Sequence, residues 1–170
     1  MLFQAPNDGE FTWNETKRLT WADFQGQPDA NSDAVALTAS GITFGYSYRQ
    51  QRGSREIVSF TADVNAYFYP KLSWYHKDRA NDYILQHEQL HFDLTELYVR
   101  KFRMAVQEIE ITKNIKSDLK KLQKGINEAL SAAQNQYDFE TQHSIIPEAQ
   151  KRWNDSIQIE LVKLEEFKSQ

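Results

Sequence analysis

Hydrophobic positions between Asp82 and Arg103 recur with the period of an α-helix. The stretch contains no Pro and no Gly, and Leu, Gln and Glu are frequent, which predicts a helix. Its apolar residues form two stripes: Ile84, Leu94 and Tyr98 in one, and Leu85, Phe92, Val99 and Phe102 in the other. Because a helix that is apolar on two sides is usually buried, we expect this helix at the centre of the fold.

Capping and helix-breaking residues set the bounds of three predicted helices. Asp78 has the chemistry of an N-cap, which predicts a first helix over about residues 79–109. Apolar residues at steps of three and four predict a second helix over about residues 113–139. Pro147 suits a first helical turn and predicts a third helix that ends near Phe167.

Ahead of these helices the pattern changes to the alternation that is typical of strands. Residues 34–50 are rich in Val, Ile, Thr, Phe and Tyr and predict one strand or two, with bulges or close backbone approaches at Gly41 and Gly45. Residues 51–54 predict a turn and residues 56–69 a returning strand, so we expect an antiparallel hairpin. The fold class predicted is α+β, with this N-terminal hairpin or small sheet packed on three long helices.

The remaining N-terminal residues lack a clear period. Residues 1–12 are polar and contain Pro and Gly, and they are expected to form a loose arm. Trp21 and Phe24 are large apolar anchors before a turn, so this segment is expected to dock on the core, with packing favoured over ligand contact for Trp21. The whole chain, residues 1–170, is predicted to form a single domain.

Composition narrows the function. Of the 170 residues, 40% are hydrophobic and 26% are charged, which is ordinary for a globular domain. The net charge of -4 and the lack of a basic tract argue against nucleic acid as the partner. No apolar run approaches the length of a transmembrane segment. The chain has no Cys, so disulfides and thiolate metal ligands are excluded.

The central feature is His87-Glu88-Gln89-Leu90-His91, an H-E-x-x-H motif inside the first predicted helix. Residues four apart lie on one helical face, so the two histidines project in the same direction and can bind one metal ion. Glu88 lies about 100° around the helix from His87 and can direct its carboxylate at a water on that ion without being a ligand. Zinc peptidases use this arrangement. The alternative is a pair of ordinary histidines with hydrogen-bonded partners.

Two imidazoles leave a catalytic zinc site incomplete, because such a site takes three protein ligands and keeps one open position. Residues 137–143, at the end of the second predicted helix, carry Asp, Glu and His, and antiparallel packing would bring them to the motif. His143 is predicted as the third ligand and Glu140 as the alternative. With His143 on the metal, Asp138 or Glu140 is expected to hold a ligand imidazole from behind. Tyr137 is either a core residue or a donor to the oxyanion of a tetrahedral intermediate.

Three further polar residues are not expected to bind the metal. His76 precedes the first predicted helix and is expected to be structural or exposed. Asp93 and Glu96 lie roughly 120° to 160° from the direction of the histidines, so they are expected to be solvent-facing charges or buttresses.

Several segments resemble a bacterial family grouped as domain of unknown function 922 and described as predicted secreted zinc-dependent proteases. The matching segments are LTWADFQG at 19–26, SGI at 40–42, SW at 73–74, HEQLHFD at 87–93 with Glu96 and Arg100, and YDFETQH at 137–143 with Gln150 and Trp153. They extend over about residues 18–160, and Ser144 stands where the family pattern has Gly. The resemblance implies a zincin-type site, so the single domain of residues 1–170 is expected to be a zincin-like metallopeptidase domain, and it implies a periplasmic or secreted protein. The polar residues 4–10 then look like a trimmed mature start, with no recognisable export signal.

These features are compatible with three functions. The first is a zinc metallopeptidase with Glu88 as general base and a peptide or protein as substrate, which a strand of the hairpin is expected to align by edge pairing. The second is another zinc amide hydrolase, for example one that acts on a cell wall. The third is a non-catalytic zinc-binding module, against which the intact Glu88 argues. No pattern in the chain sets an oligomeric state.

Overall fold

The computed structural model describes residues 9–54 and 56–169. Within them, five strands come before three helices, and the predicted α+β class is confirmed. The strands are β1 (Phe11–Thr12), β2 (Ala36–Leu37), β3 (Ser40–Gln50), β4 (Ile57–Phe68) and β5 (Trp74–Tyr75). The helices are α1 (Asp82–Glu108), α2 (Ile115–Thr141) and α3 (Pro147–Lys163), with short 3₁₀ helices at Trp21–Asp23 and Glu165–Phe167. None of the helices in the described part of the chain combines the length and the apolar character needed to cross a membrane.

The predicted hairpin is formed by β3 and β4. These strands pair antiparallel from Ser40, opposite Phe68, to Gln50, opposite Ile57. β1 joins the other edge of β4, which gives a three-stranded sheet in the order β1-β4-β3. β2 does not continue into β3 but pairs with β5 in a separate two-stranded sheet.

The ladder between β3 and β4 has its register shift near the turn. The shift lies between Arg49 and Gln50, so the bulges predicted at Gly41 and Gly45 are wrong. Gly41 instead permits a close approach, because a Cβ there would lie 3.2 Å from the hydroxyl of Tyr69. The approaching group is a side chain, whereas a backbone was expected.

α1 lies between the sheet and the other two helices, as its two apolar stripes predicted. On the sheet side, a core cluster contains Phe92, Val99 and Phe102 of α1 with Val64, Ala66 and Phe68 of β4. On the helix side, a second cluster contains Leu90, Leu94 and Leu97 of α1 with Leu130 and Tyr137 of α2 and Ile157 and Leu161 of α3. Each buried Val, Leu, Ile or Phe side chain in these clusters contributes about 1.5–3 kcal/mol by leaving water. The helix that carries the motif is therefore fixed by the core from both sides.

The helices differ from their predicted bounds at the ends. α1 begins later than predicted, because Asn81 is the N-cap and its side chain accepts a hydrogen bond from the backbone N–H of Ile84 at 3.0 Å. The prediction of Asp78 as the cap is wrong, since residues 77–79 form a turn. α2 extends to Thr141, beyond the predicted end. α3 ends at Lys163, before the predicted end near Phe167. The last part of the predicted segment forms the 3₁₀ helix Glu165–Phe167 instead.

The N-terminal segment packs on the core where it is described. Phe11 stacks on Phe68 with 5.2 Å between ring centroids, so the predicted loose arm is wrong at its end, and residues 1–8 lie outside the described residues. Trp21 stacks on Tyr75 with 4.5 Å between ring centroids. This contact supports the packing role predicted for Trp21.

A left-handed corner joins α2 to α3. Gln142, His143 and Ser144 have φ angles of 47°, 52° and 74°. Residues with a Cβ disfavour this region by about 1–2 kcal/mol each. The corner begins with a hydrogen bond from the backbone N–H of His143 to the carbonyl oxygen of Asp138 at 3.0 Å. It turns the chain sharply beside the N-terminal half of α1.

Candidate metal centre

The two histidines of α1 point at one carboxylate oxygen. The Nε2 atoms of His87 and His91 are 3.1 Å apart. Oδ1 of Asp138, on the last turn of α2, lies 3.1 Å from Nε2 of His87 and 3.0 Å from Nε2 of His91. Within the described residues, these three side chains form a group whose ligand atoms all lie within 4.8 Å of one another. Both imidazoles therefore face the same space, as the spacing of the motif predicted.

The segment predicted to complete the site is brought to the motif, but Asp138 lies closer to the histidines than His143 does. Asp138 is still on the helix and faces α1. His143 follows the helix in the left-handed corner, where its side chain is 70% exposed and its Nδ1 lies 3.5 Å from Oδ1 of Asp138. The geometry thus groups Asp138 with the two imidazoles and leaves His143 exposed beside Asp138.

Glu140 points away from the histidines. Its Oε2 accepts a hydrogen bond from Nε1–H of Trp153 at 2.7 Å, and its Oε1 accepts one from Nε2–H of Gln136 at 2.6 Å. The bonds from Gln136 and Trp153 hold the pKa of the Glu140 carboxyl below its ordinary value. Glu140 thus links α2 to α3, and the structure does not bring it to the position predicted for an alternative ligand.

The histidines and carboxylates of the cluster stabilise each other's charged forms. Burial alone would lower the pKa of His91, but its hydrogen bond to Asp138 and the charges of Glu88 and Asp138 raise that pKa above its ordinary value. Burial alone would raise the pKa of Asp138, but hydrogen bonds from His87 and His91 hold it well below its usual range. Asp138 is therefore ionised at neutral pH, which is the form that binds a metal.

Glu88 is buried beside the histidines with one carboxylate oxygen unpaired. Its exposure is 4%, and it lines the same cleft as His87 and His91. Its Oε2 has no hydrogen-bond partner among the described residues, and neither does the buried Nδ1 of His87. An unpaired buried polar atom costs about 1–3 kcal/mol, and more when the group is charged. A catalytic role or a bound ion or water is one explanation for such a group.

Tyr137 stands behind the histidines. It is fully buried, and its ring stacks on that of His87 with 4.4 Å between centroids. Its hydroxyl donates to the carbonyl oxygen of His87 at 3.4 Å. Burial, followed by the charges of Glu88 and Asp138, raises the pKa of this phenol far above its ordinary value, so it keeps its proton. Since Tyr137 does not line the cleft, this geometry favours the core alternative over the oxyanion donor.

Sequence reasoning missed Gln134, which holds the outer nitrogen of His91. The side-chain amide of Gln134 donates to the carbonyl oxygen of His91 at 2.9 Å and to the hydroxyl of Thr95 at 3.4 Å. Its Oε1 therefore accepts a hydrogen bond from Nδ1–H of His91, which directs Nε2 of His91 at the cluster. The available signal was spacing, since Gln134 precedes Asp138 by one helical turn and shares its face.

Asp93 and Glu96 are buttresses, and the solvent-facing alternative is wrong. Both are fully buried. Asp93 accepts hydrogen bonds from Nε1–H of Trp13 and from Nε2–H of Gln89, each at 2.8 Å. Glu96 forms an ion pair with Arg100 at 2.9 Å. Buried charges on α1 thus anchor the motif helix to the surrounding segments.

A cleft of about 290 Å³ opens over the cluster. One wall contains the motif and the end of α2, and the other contains the consecutive residues 34–38, which include β2. The hydroxyl of Thr38 donates to the carbonyl oxygen of Glu88 at 3.1 Å and holds this segment against the motif. Among the described residues β2 has β5 as its strand partner, so a short strand at the edge of a two-stranded sheet borders the cleft that the two histidines line.

The fold and the cluster define a class of α+β protein in which an H-E-x-x-H helix borders a cleft beside a strand edge. Residues 12–144 match a family described as "Bacterial protein of unknown function (DUF922)", and the chain belongs to this family. No curated protein and no solved structure shows significant similarity to the chain. The family match includes the motif, the end of α2 and the left-handed corner.

Proposed function

We propose that this protein is a zinc-dependent hydrolase of peptide bonds, with His87, His91 and Asp138 as zinc ligands and Glu88 as general base. The observation that carries the proposal is the buried carboxylate of Glu88, whose Oε2 has no partner among the described residues, beside the converging Nε2 atoms of the two histidines. A purely structural metal site has no use for such a base, so Glu88 argues against a non-catalytic module.

The donor set fits zinc. The three ligand atoms are between 3.0 and 3.1 Å apart. Ligand atoms at about 2.0–2.1 Å in a tetrahedron lie roughly 3.3 Å from one another, so small movements suffice. Two imidazoles and a carboxylate leave the fourth position for water, as in catalytic zinc sites. His143 stays the alternative third ligand, in which case Asp138 would hold an imidazole from behind.

The residues of the cleft have separate tasks in this reaction. When bound, zinc supplies a Lewis acid that lowers the pKa of a coordinated water and polarises the scissile carbonyl. Glu88 accepts the proton of the attacking water on its unpaired oxygen and passes it to the departing amine. Gln134 keeps Nε2 of His91 directed at the site.

A peptide is favoured as substrate by the strand segment that lines the cleft. The two-residue strand β2 lies in this segment next to the histidines, and an extended peptide can add to a strand edge through backbone hydrogen bonds. The periplasmic or secreted setting implied by the family resemblance belongs to this proposal and stays a prediction.

Metal content and hydrolysis together test the proposal. We expect about one zinc per chain in the wild type by elemental analysis, and zinc binding weakened by more than about 100-fold in Asp138→Ala. Glu140→Gln is the matched control, because this carboxylate is bonded to Trp153 and should leave zinc binding unchanged. Glu88→Gln should keep the zinc and lose cleavage of a mixed pool of peptides and cell-wall fragments.

Two results would contradict the proposal. One is a wild-type protein that binds no more zinc than the His91→Ala variant. The other is a zinc-loaded Glu88→Gln protein that still cleaves. Loss of zinc in His143→Ala together with its retention in Asp138→Ala would move the third ligand to His143. Cleavage confined to the cell-wall fragments would assign the substrate to that class.

A further inference from the structure

The cleft over the histidines continues past His143 into a second chamber. This chamber, of about 700 Å³, lies between residues 32–35, the start of α1 and the left-handed corner at residues 142–145. The cleft and the chamber share five wall residues: Ala34, Val35, Ile84, His143 and Ser144. They are therefore direct neighbours, and His143 is one of the residues at their boundary.

The exposed wall surface of the chamber is mainly apolar, although seven of its twelve lining residues are polar or charged. The walls include the side chains of Ala34, Val35, Tyr83, Ile84 and Ile145. Ile145 is 73% exposed, so it contributes little to the core. Single exposed apolar residues are common on protein surfaces. Ile145 differs because it lies across a concave space from other apolar side chains, in direct continuation of the candidate metal centre.

The charged groups at the chamber balance one another. Arg79 and Asp33 both contribute to its wall. The guanidinium of Arg79 donates to the backbone carbonyl oxygen of Asp33 at 3.0 Å, which holds it at that segment. Arg79 and Asp33 carry opposite charges, so this pair gives the chamber no net formal charge and does not favour a charged ligand group there.

We propose that the chamber is a specificity pocket that receives a bulky apolar side chain, such as Leu or Phe, of an extended peptide substrate. The inference rests on the proposed function, because it takes the histidine cluster as the reaction centre. A peptide that pairs with residues 34–38 leaves the cleft at the end where residues 32–35 form the chamber wall. An extended chain advances about 3.3 Å per residue, so a side chain close to the scissile bond reaches this space.

Binding to a protein that does not turn over separates this pocket from the reaction. The parent protein is Glu88→Gln, and the probes are acetyl-Gly-Gly-Xaa-Gly-Gly-amide peptides with Leu, Phe, Gly or Lys at Xaa. We expect the Leu and Phe peptides to bind about tenfold more tightly than the Gly peptide. Adding Ile145→Asp should remove this advantage and favour Lys, because a carboxylate in that wall attracts an ammonium group.

Val162→Asp is the matched control. Val162 is 72% exposed on α3, so the change introduces the same charge at the same exposure, but it lines neither the cleft nor the chamber. This variant should discriminate among the peptides as the parent does. A thermal melt of both variants checks that each remains folded.

The outcomes distinguish failure of the pocket from failure of the hydrolase. Equal binding of all four peptides, or a preference for Leu that Ile145→Asp leaves unchanged, would overturn the pocket. Discrimination without any cleavage by the wild type would leave the pocket standing and remove the proposed hydrolase. Cleavage without a preference for a bulky apolar residue near the scissile bond would support the hydrolase and overturn the pocket.

Discussion

At the scale of single residues, the site depends on which atom of each ring is held by which neighbour. His91 has two ring nitrogens, and the neighbour that holds Nδ1 leaves Nε2 to face His87 and Asp138. The amide group of Gln134 donates to two oxygen atoms, the carbonyl of His91 and the hydroxyl of Thr95. A flipped amide would put its oxygen against those oxygens and its NH₂ against Nδ1–H of His91. The amide orientation is thus fixed, and with it the nitrogen of His91 that faces the cluster.

Replacing Gln134 should weaken zinc binding without unfolding the protein. We expect Gln134→Leu to lower the zinc affinity by about 10–100-fold, because the imidazole loses the partner that orients it. Gln134→Glu keeps an oxygen acceptor and should retain most of the affinity. A competition titration with a coloured chelator measures the affinity, and nitrogen NMR of His91 reports which ring nitrogen carries the proton.

Gln136→Leu is the control for that change. Gln136 is also on α2 but is exposed and bonds to Glu140, so its loss should not affect zinc. If Gln134→Leu bound zinc as the wild type does, with an unchanged NMR signature, Gln134 would have no positioning role.

The sequence predicted the direction of some of these residues and not of others for a physical reason. Within one helix, spacing alone puts His87 and His91 on one face, and the structure has them there. Between two helices, the rotation of α2 about its own axis decides which residue reaches the histidines, and core packing sets that rotation. The sequence could therefore place Asp138 near the site. It could not predict that Asp138, and not His143, contacts the two imidazoles.

At the scale of elements, the start of α1 decides how much ordered chain precedes the motif. Asp78 and Asn81 both have side chains that can cap a helix, so composition could not choose between them. The choice follows from the turn at residues 77–79, in which the backbone N–H groups of Arg79 and Ala80 bond to the carbonyl oxygen of His76. Asn81 is then the first residue free to cap α1.

The two candidate caps should differ in their effect on stability. Asn81→Ala is expected to lower the free energy of unfolding by about 1 kcal/mol, because the backbone N–H of Ile84 loses its acceptor. Asp78→Ala is expected to change it by no more than about 0.5 kcal/mol. Urea denaturation of the two variants makes the comparison, and a larger loss for Asp78→Ala would restore the cap inferred from sequence.

At the scale of the whole molecule, a buried ion pair ties α1 to the C-terminal segment. Arg100 is 1% exposed and donates to Glu96 at 2.9 Å and to the carbonyl oxygen of Leu161 at 2.5 Å. The other carboxylate oxygen of Glu96 accepts from the hydroxyl of Ser169 at 2.6 Å. Because all of these groups are buried together, removing one leaves a charge without compensation.

Arg100→Met should therefore be strongly destabilising. We expect the free energy of unfolding to fall by about 3–5 kcal/mol, since the buried carboxylate of Glu96 would keep its desolvation cost and lose its main partner. Lys124→Met on α2 is the control, because its pair with Glu128 at 3.6 Å is exposed and should be worth less than about 1 kcal/mol. Equal, small losses in chemical denaturation would show that the buried pair does not stabilise the fold.

The order of strands and helices could be predicted at this scale because long periodic segments carry their own signal. Two features could not. β1, β2 and β5 are two residues long, too short for a period to be read. The buried partners of α1 are distant in sequence, 80 residues for Trp13 with Asp93 and 73 for Ser169 with Glu96. Only packing makes such residues neighbours, so the sequence could not decide whether these carboxylates are solvent-facing charges or buttresses.

The corner between α2 and α3 bears on the energy balance of the molecule. Three successive residues with a Cβ have positive φ there, which costs on the order of 3–6 kcal/mol in total. The net stability of a typical domain is only about 5–15 kcal/mol, so the surrounding helices must offset a substantial penalty. Backbone strain of this size persists where neighbouring structure enforces it, often close to ligands. In this chain the strained residues are those that place His143 between the cleft and the chamber and Ile145 in the chamber wall.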